Sequence, residues 1–205
     1  MQDKSYNLKN RSIGVLDTLL SILLCVILVV AVLRVAFGIA YFRVYVVGSS
    51  MSSTLVGAPN KDNKGGDYVY AFRTSHPKRG DIVVIETDTK TIIKRVIALG
   101  GDTVELKEGV LYLNGEEVEE PYVKDENNTP SENSYAQIVV PEGRMFCLGD
   151  NRNVSVDSRS ETYGCMPISW TAGVVADWSM SFKGAITAFN GFIDFTLPDM
   201  FGGKK

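Results

Sequence analysis

From Ile13 to Leu33 the chain carries 21 residues whose only charge is Asp17, near the start. As a helix rising 1.5 Å per residue, such a run is about 31 Å long, against a hydrocarbon core of about 30 Å. The pattern predicts a transmembrane anchor over 13–37. Gly38 and Ala40 supply the small residues of a cleavage site, but a cleaved signal has an apolar core of only about 7–15 residues, so retention is the expectation. After Tyr41 the helical pattern stops and short β-branched runs take over. Strands are predicted at Val44–Val47, Tyr68–Phe72, Asp81–Glu86, Thr91–Leu99, Thr103–Lys107, Val110–Leu113, Ala136–Val140, Met145–Leu148 and Gly173–Ala176. Turn residues separate them: Gly65-Gly66-Asp67, Arg79-Gly80-Asp81, Gly100-Gly101-Asp102 and Asn114-Gly115. No helix-period stretch of 12 or more residues stands out between them, so a mostly antiparallel β body over 38–181 is expected.

Two stretches fall outside this pattern. Residues 119–135 are polar and acidic, and predict an exposed loop. The tail over 182–205 holds Phe182, Phe189, Phe192, Phe195 and Phe201, interrupted by Lys183, Asn190 and Asp194. It is a poor membrane span. An interfacial position with Trp170 and Trp178 nearby in sequence is one reading; a tail that packs on the sheet or stays partly disordered is the other.

Charge sharpens the division. Residues 1–43 hold five Lys/Arg against two Asp/Glu, and residues 44–205 hold sixteen against twenty-two. Lys4, Lys9 and Arg11 precede the apolar run, while Arg34 and Arg43 follow. The bias places residues 1–12 in the cytoplasm and the body outside the cell membrane. A net charge of −3 over 205 residues offers nothing global to nucleic acid. A body of about 160 residues buries a core without metal or disulfide staples. The single His76 excludes multi-His metal sites and argues against a Ser-His-Asp triad. Cys25 lies in the span; Cys147 and Cys165 could pair or stay as thiols.

Four segments carry candidate chemistry. In Val47-Gly48-Ser49-Ser50-Met51-Ser52-Ser53-Thr54-Leu55, Ser50 sits where a chain leaves a strand, and Gly48 lets a substrate backbone come close. Serine-rich turns are common, and a strand-ending loop is the plain alternative. Lys78-Arg79-Gly80-Asp81-Ile82-Val83-Val84 reads as a turn delivering a core strand. In Ile92–Asp102, alternation puts Lys94 on one face with Ile92, Val96 and Ala98, and Arg95 on the other with Ile93, Ile97 and Leu99. A lysine among apolar neighbours loses hydration, which lowers its pKa and yields the neutral amine a general base requires. A lysine snorkelling from a strand end is the alternative. Gly149–Arg159 follows a strand, and Asp150, Asp157 and Arg159 can hold it by charge-assisted bonds. Calcium ligation by Asp150, Asn151, Asn153 and Ser155 lacks the glycine and terminal glutamate of an EF-hand loop. Asn127-Asn128-Thr129 and Asn153-Val154-Ser155 also fit the glycosylation tripeptide, a frequent chance pattern.

An anchor followed in order by GSSMSSTL, RGDIVV, IKRVIALGGD and GDNRNVSVDSR resembles the bacterial type I signal peptidases of the Ser/Lys-dyad kind, in their Gram-positive-like short form. The resemblance spans roughly residues 13–176. It implies a pair of antiparallel β-sheets of the signal peptidase/LexA-like type, membrane-bound and extracytoplasmic. It implies Ser50 as nucleophile, Lys94 as general base, Ser155 as the serine orienting the lysine amine, and Asp157 with Arg159 as a supporting ion pair. Asp150 and Asn151 would belong to the same buttress, and Gly48 would stand where some relatives place an oxyanion-hole serine. No cofactor or metal is implied. The partners implied are the lipid bilayer and exported preproteins with small residues at −1 and −3, cut by a monomer.

The chain departs from that family's pattern at several positions. Ser53 replaces the proline of Ser-Met-x-Pro-Thr-Leu, and Ala98 and Gly100 replace the first glycine and the proline of the Gly-Leu-Pro-Gly-Asp turn. A longer 57–66 segment also follows the nucleophile loop. These departures leave open a divergent relative dedicated to pilus or surface-protein assembly, as a narrow-substrate protease or a non-catalytic chaperone. A LexA-type self-cleaving protease shares the dyad but carries a DNA-binding module where this chain has an apolar span. A eukaryotic-type signal peptidase would use His in place of Lys94.

Overall fold

In a computed structural model the described residues are 2–60, 65–74 and 76–196. They form two compact units, a helical one through Tyr41 and a body from Phe42 onward. The first is helix α1 (Gln2–Ala40). Its stretch Val15–Ala40 has a mean hydropathy of 3.0 and none of it is buried by protein. A helix with no polar face and no protein cover needs an apolar solvent around it.

The body is two sheets. Strands β1 (Tyr41–Tyr45), β2 (Tyr68–Phe72), β3 (Ile82–Glu86), β4 (Thr91–Leu99), β9 (Arg144–Leu148), β10 (Met166–Pro167) and β11 (Thr171–Val175) make a seven-stranded sheet in the order β1-β2-β11-β3-β4-β9-β10. Strands β5 (Thr103–Lys107), β6 (Val110–Leu113), β7 (Glu116–Val118) and β8 (Tyr135–Val139) make a second in the order β7-β6-β5-β8. Pairing from β2 through β10, and throughout the second sheet, is antiparallel. Central strand β3 is buried at four of its five positions, because both of its faces are covered. One core cluster (Val46, Met51, Leu55, Val69, Ala71, Ile82, Val84, Val175) lies under the site. A second, around Phe146, Leu148 and Leu106, joins the two sheets.

The expected strands are present, most within a residue or two. Strand β7, three residues of Glu-Glu-Val, is too short and polar to leave a period. The first strand lies at Tyr41–Tyr45, earlier than 44–47, starting directly after α1. In β4 a bulge between Val96 and Ala98 breaks the alternation. Lys94, Val96 and Ile92 keep their expected relation, but Ala98 and Leu99 exchange faces: Leu99 packs with Val96 and Ile92, and Ala98 joins Ile97.

One further expectation is corrected, and of the two readings of the tail the structure shows the one that packs on the sheet. Residues 119–135 do not stand free as an exposed loop. Asn133 is 1% exposed, and Glu120, Tyr122 and Asn127 reach the Gly149–Arg159 loop, β4 and the turn after Val47. The tail contains a 14-residue helix, α3 (Lys183–Thr196), preceded by the short α2 (Asp177–Ser181), and α3 packs on β2. Its polar residues are the anchors. Buried Asn190 accepts from Arg43 Nη1 at 2.8 Å, Thr187 Oγ1 accepts from the Tyr68 N–H at 2.8 Å, and Lys183 Nζ donates to the Thr54 carbonyl at 2.7 Å. Phe189 points outward, and Phe201 lies outside the described residues.

Candidate active site

The turn that carries Ser50 begins where β1 runs out. Val47 bridges to Ala58 in parallel, and the Gly48 N–H donates to the Ala58 carbonyl at 2.7 Å. Gly48 has φ +84°, the left-handed region, and the space around its missing Cβ is open. A Cβ on Gly57 would lie 1.8 Å from the Gly48 carbonyl oxygen. Gly57 and Gly66, at the two ends of the longer 57–66 segment, thus both lie tight against the end of the strand.

Beyond Gly48 the chain coils through a tight turn. The Ser52 N–H donates to Ser49 O at 3.1 Å, and the Thr54 and Leu55 N–H groups donate to Met51 O at 2.9 and 2.7 Å. Met51 and Leu55 are 1% and 0% exposed and plug the turn into the core. Ser50, next to that plug, is left at the surface of a cleft of about 650 Å³. Val44–Val47 line one side of it, and Ile92, Ile93, Lys94 and Val156 line the other.

Lys94 Nζ lies 2.8 Å from Ser50 Oγ and 3.0 Å from the Ile93 carbonyl. The side chain is 4% exposed. Burial pushes its pKa down from 10.5 to about 8, against the opposing pull of the Asp157 carboxylate. A lysine short of water and without a contacting carboxylate shifts toward its neutral form. A neutral amine can donate one N–H to the Ile93 carbonyl and accept the Ser50 hydroxyl proton on its lone pair.

Arg95, the next residue, meets the opposite treatment. Its Nε and Nη2 bind Asp150 Oδ1 and Oδ2 at 2.9 and 2.6 Å, its Nη1 donates to the Gly80 carbonyl at 2.8 Å, and its guanidinium lies 3.8 Å from the Tyr122 ring centroid. Thr54 Oγ1 donates to Asp150 Oδ2 as well. The Gly149–Arg159 loop then holds the Ser50 turn directly: the Asn151 N–H donates to the Ser50 carbonyl at 3.0 Å and Asn151 Nδ2 to Ser52 Oγ at 2.8 Å. A Cβ on Gly149 would come within 2.5 Å of that same carbonyl, so only glycine permits the approach. Asp157, wholly buried, accepts from the Gly149 N–H at 3.0 Å and from Arg159 Nε and Nη2 at 2.9 and 3.0 Å.

The structure therefore brings together Ser50, Lys94, Asp150, Asn151, Asp157 and Arg159, with Gly48 beside them. Ser155 departs from expectation. Its Oγ is buried beside Gly149 and, among the described residues, has no hydrogen-bond partner and makes no bond to Lys94. The amine is oriented by the Ile93 carbonyl instead. Arg95, Thr54, Tyr122, Asn127 and the buried Arg152–Glu120 pair at 2.6 Å are the participants that sequence reasoning missed. A buried arginine in a strand signals that a carboxylate is needed, but nothing local says which one. Cys147 and Cys165 are free thiols, and burial pushes the Cys147 thiol up.

Comparison with known proteins identifies the family. The family described as "Signal peptidase, peptidase S26" matches residues 16–178. A signal peptidase I of Bacillus licheniformis is 37% identical over 173 residues, 78% of this chain and 84% of that protein. A signal peptidase I of Bacillus amyloliquefaciens is 36% identical over 142 residues, 65% of this chain and 74% of that one. A crystal structure of a signal peptidase I from Enterococcus faecalis aligns with 49% of this chain and 97% of its own, at 31% identity and a TM-score of 0.43. With a match over most of its length, the chain belongs to the signal peptidase family, peptidase S26, the serine peptidases that remove signal peptides from exported preproteins.

Proposed function

We propose that Ser50 is the nucleophile and Lys94 the general base of this peptidase. The observation that carries the reading is the 2.8 Å contact between Lys94 Nζ and Ser50 Oγ, made by a lysine stripped of water in an open cleft. Neutral Lys94 takes the Ser50 proton as Oγ attacks the scissile carbonyl. The resulting ammonium gives that proton to the departing amine, leaving an ester on Ser50. Lys94, neutral again, activates a water that hydrolyses the ester. The Ser50 backbone N–H stabilises the oxyanion, with the open space at Gly48 admitting the carbonyl.

The preprotein lies extended in the cleft, adding backbone bonds at the exposed edge of β1. The β-branched walls at Val44, Val46, Ile92 and Ile93 leave shallow pockets, which favours small residues at −1 and −3. Residues 13–37 cross the membrane, with 1–12 in the cytoplasm after Lys4, Lys9 and Arg11, and the catalytic body over 38–181 stands outside as a monomer. Sharing a bilayer with the substrate raises the effective concentration of each for the other.

The test is cleavage of a preprotein with an Ala-x-Ala site in detergent micelles, by the full chain and by Ser50→Ala and Lys94→Ala. Only the unaltered chain should yield the mature N-terminus, with each variant slower by at least about 10³-fold. A variant that cuts as fast as the unaltered chain would overturn the assignment.

A further inference from the structure

The turn that presents Ser50 has no proline to stiffen it, yet it is tied from outside. Asn127 Nδ2 donates to Ser53 Oγ at 2.7 Å, and the Ser53 hydroxyl points its own proton at the Asp150 carbonyl, at 3.4 Å. Asn127 belongs to the 119–135 segment, in a single 3-10 turn (Asp125–Asn127) whose last N–H donates to Lys124 O at 2.8 Å. That turn is itself pinned to the Gly149–Arg159 loop. The Asn153 N–H donates to Asn127 O at 3.2 Å and Asn153 Nδ2 to Glu126 O at 3.3 Å, while Asn153 Oδ1 accepts from Asn133 Nδ2 at 2.9 Å. A chain of hydrogen bonds therefore runs from the Gly149–Arg159 loop, through Asn127, to a residue three positions after Ser50.

We infer that Asn127 is a positioning residue for the cleavage reaction, fixing the Ser50 turn through the Ser53 hydroxyl. The inference rests on Ser50 being the nucleophile. Asn127 touches neither Ser50 nor Lys94 and does not line the cleft, so it acts on where Ser50 Oγ sits and not on what binds. Losing a nucleophile's fixed geometry lowers kcat, because the reacting atoms then reach attack distance less often. Substrate affinity, set by the cleft walls, is untouched. Ser53→Pro supplies the same restriction by a different means, since the ring locks φ. It removes no backbone bond, because among the described residues the Ser53 N–H donates to none.

The experiment compares kcat and KM for preprotein cleavage by the full-length enzyme and its Asn127→Ala, Ser53→Ala, Ser53→Pro and Ser53→Pro/Asn127→Ala variants, with Ser50→Ala as control. Asn127→Ala and Ser53→Ala should each lower kcat by about tenfold, the cost of one well-placed bond, with KM within about twofold. Ser53→Pro should restore the Asn127→Ala enzyme to within about threefold of the unaltered one. Full activity in Asn127→Ala, or a double variant as slow as Asn127→Ala alone, overturns the inference. An active Ser50→Ala enzyme overturns the nucleophile assignment instead, whatever the other variants do.

Discussion

Two cations stand side by side on β4, and the regions they face could hardly differ more. Arg95 enters a polar interior furnished in advance with a bidentate carboxylate, a carbonyl and an aromatic face. Lys94 enters an apolar cleft with one carbonyl and one hydroxyl. A buried charge costs several kcal/mol unless it is paired, so Arg95, fully paired, serves the structure, while burial drives Lys94 toward the neutral form that the proposed base requires. The alternation of one strand delivers the two to opposite sides. On the proposed mechanism, function follows from denying a residue the partners its neighbour receives.

The largest effect that would sharpen this comparison comes from Lys94→Met. Cleavage should fall by at least about 10³-fold, as for any loss of the base. Folding should move the other way. The Lys94 pKa is depressed in the folded enzyme, so between about 8 and 10.5 the unfolded chain binds the extra proton. Burying Lys94 thus destabilises the fold fully below pH 8, and the penalty disappears as pH rises past 10.5. Methionine removes it, and chemical denaturation near pH 7 should show a gain on the order of 2 kcal/mol that shrinks toward pH 10. Equal or lower stability would mean that Lys94 is not the desolvated partner described.

Arg95→Leu should do the reverse. It strands the Asp150 carboxylate, 1% exposed, and should cost about 3–5 kcal/mol in denaturation. If the loss were under 1 kcal/mol, Arg95 would be no more constrained than Lys94 and the contrast would collapse. The smallest effect is expected at Lys183→Met, which removes the bond from α3 to the Thr54 carbonyl. Lys183 is a third exposed, so the change should be about 1 kcal/mol or less, with a fall in kcat of a few-fold at most. A larger fall in kcat with unchanged stability would promote α3 to a part of the catalytic frame.

How much of this was written in the sequence differs between the two sides. The apolar span, the bounds of β2, β4, β5 and β6, and the desolvation of Lys94 all follow from local pattern, since each depends on neighbours within a few residues. The pairing of Arg95 with Asp150 joins positions 55 apart, and no period encodes it. Helix α3 escaped because Lys183 and Asn190 read as interruptions of an apolar tail, when they are its contacts with the body. The 119–135 segment looked like solvent-exposed loop because its Asn, Glu and Tyr side chains are polar, yet polarity serves equally to satisfy a buried network. Ser155 shows the converse: the family pattern assigned it a bond to the amine, and in this chain the Ile93 carbonyl occupies that role.

The pH dependence of kcat/KM for preprotein cleavage reads the protonation of the free enzyme's base, and so reports on Lys94 itself. With Lys94 lowered to about 8, kcat/KM should climb about tenfold per pH unit below that value and level off above it. A profile flat from pH 6 to 8, or one still climbing at pH 10 as for an ordinary lysine, would contradict a neutral Lys94 as the base that activates Ser50.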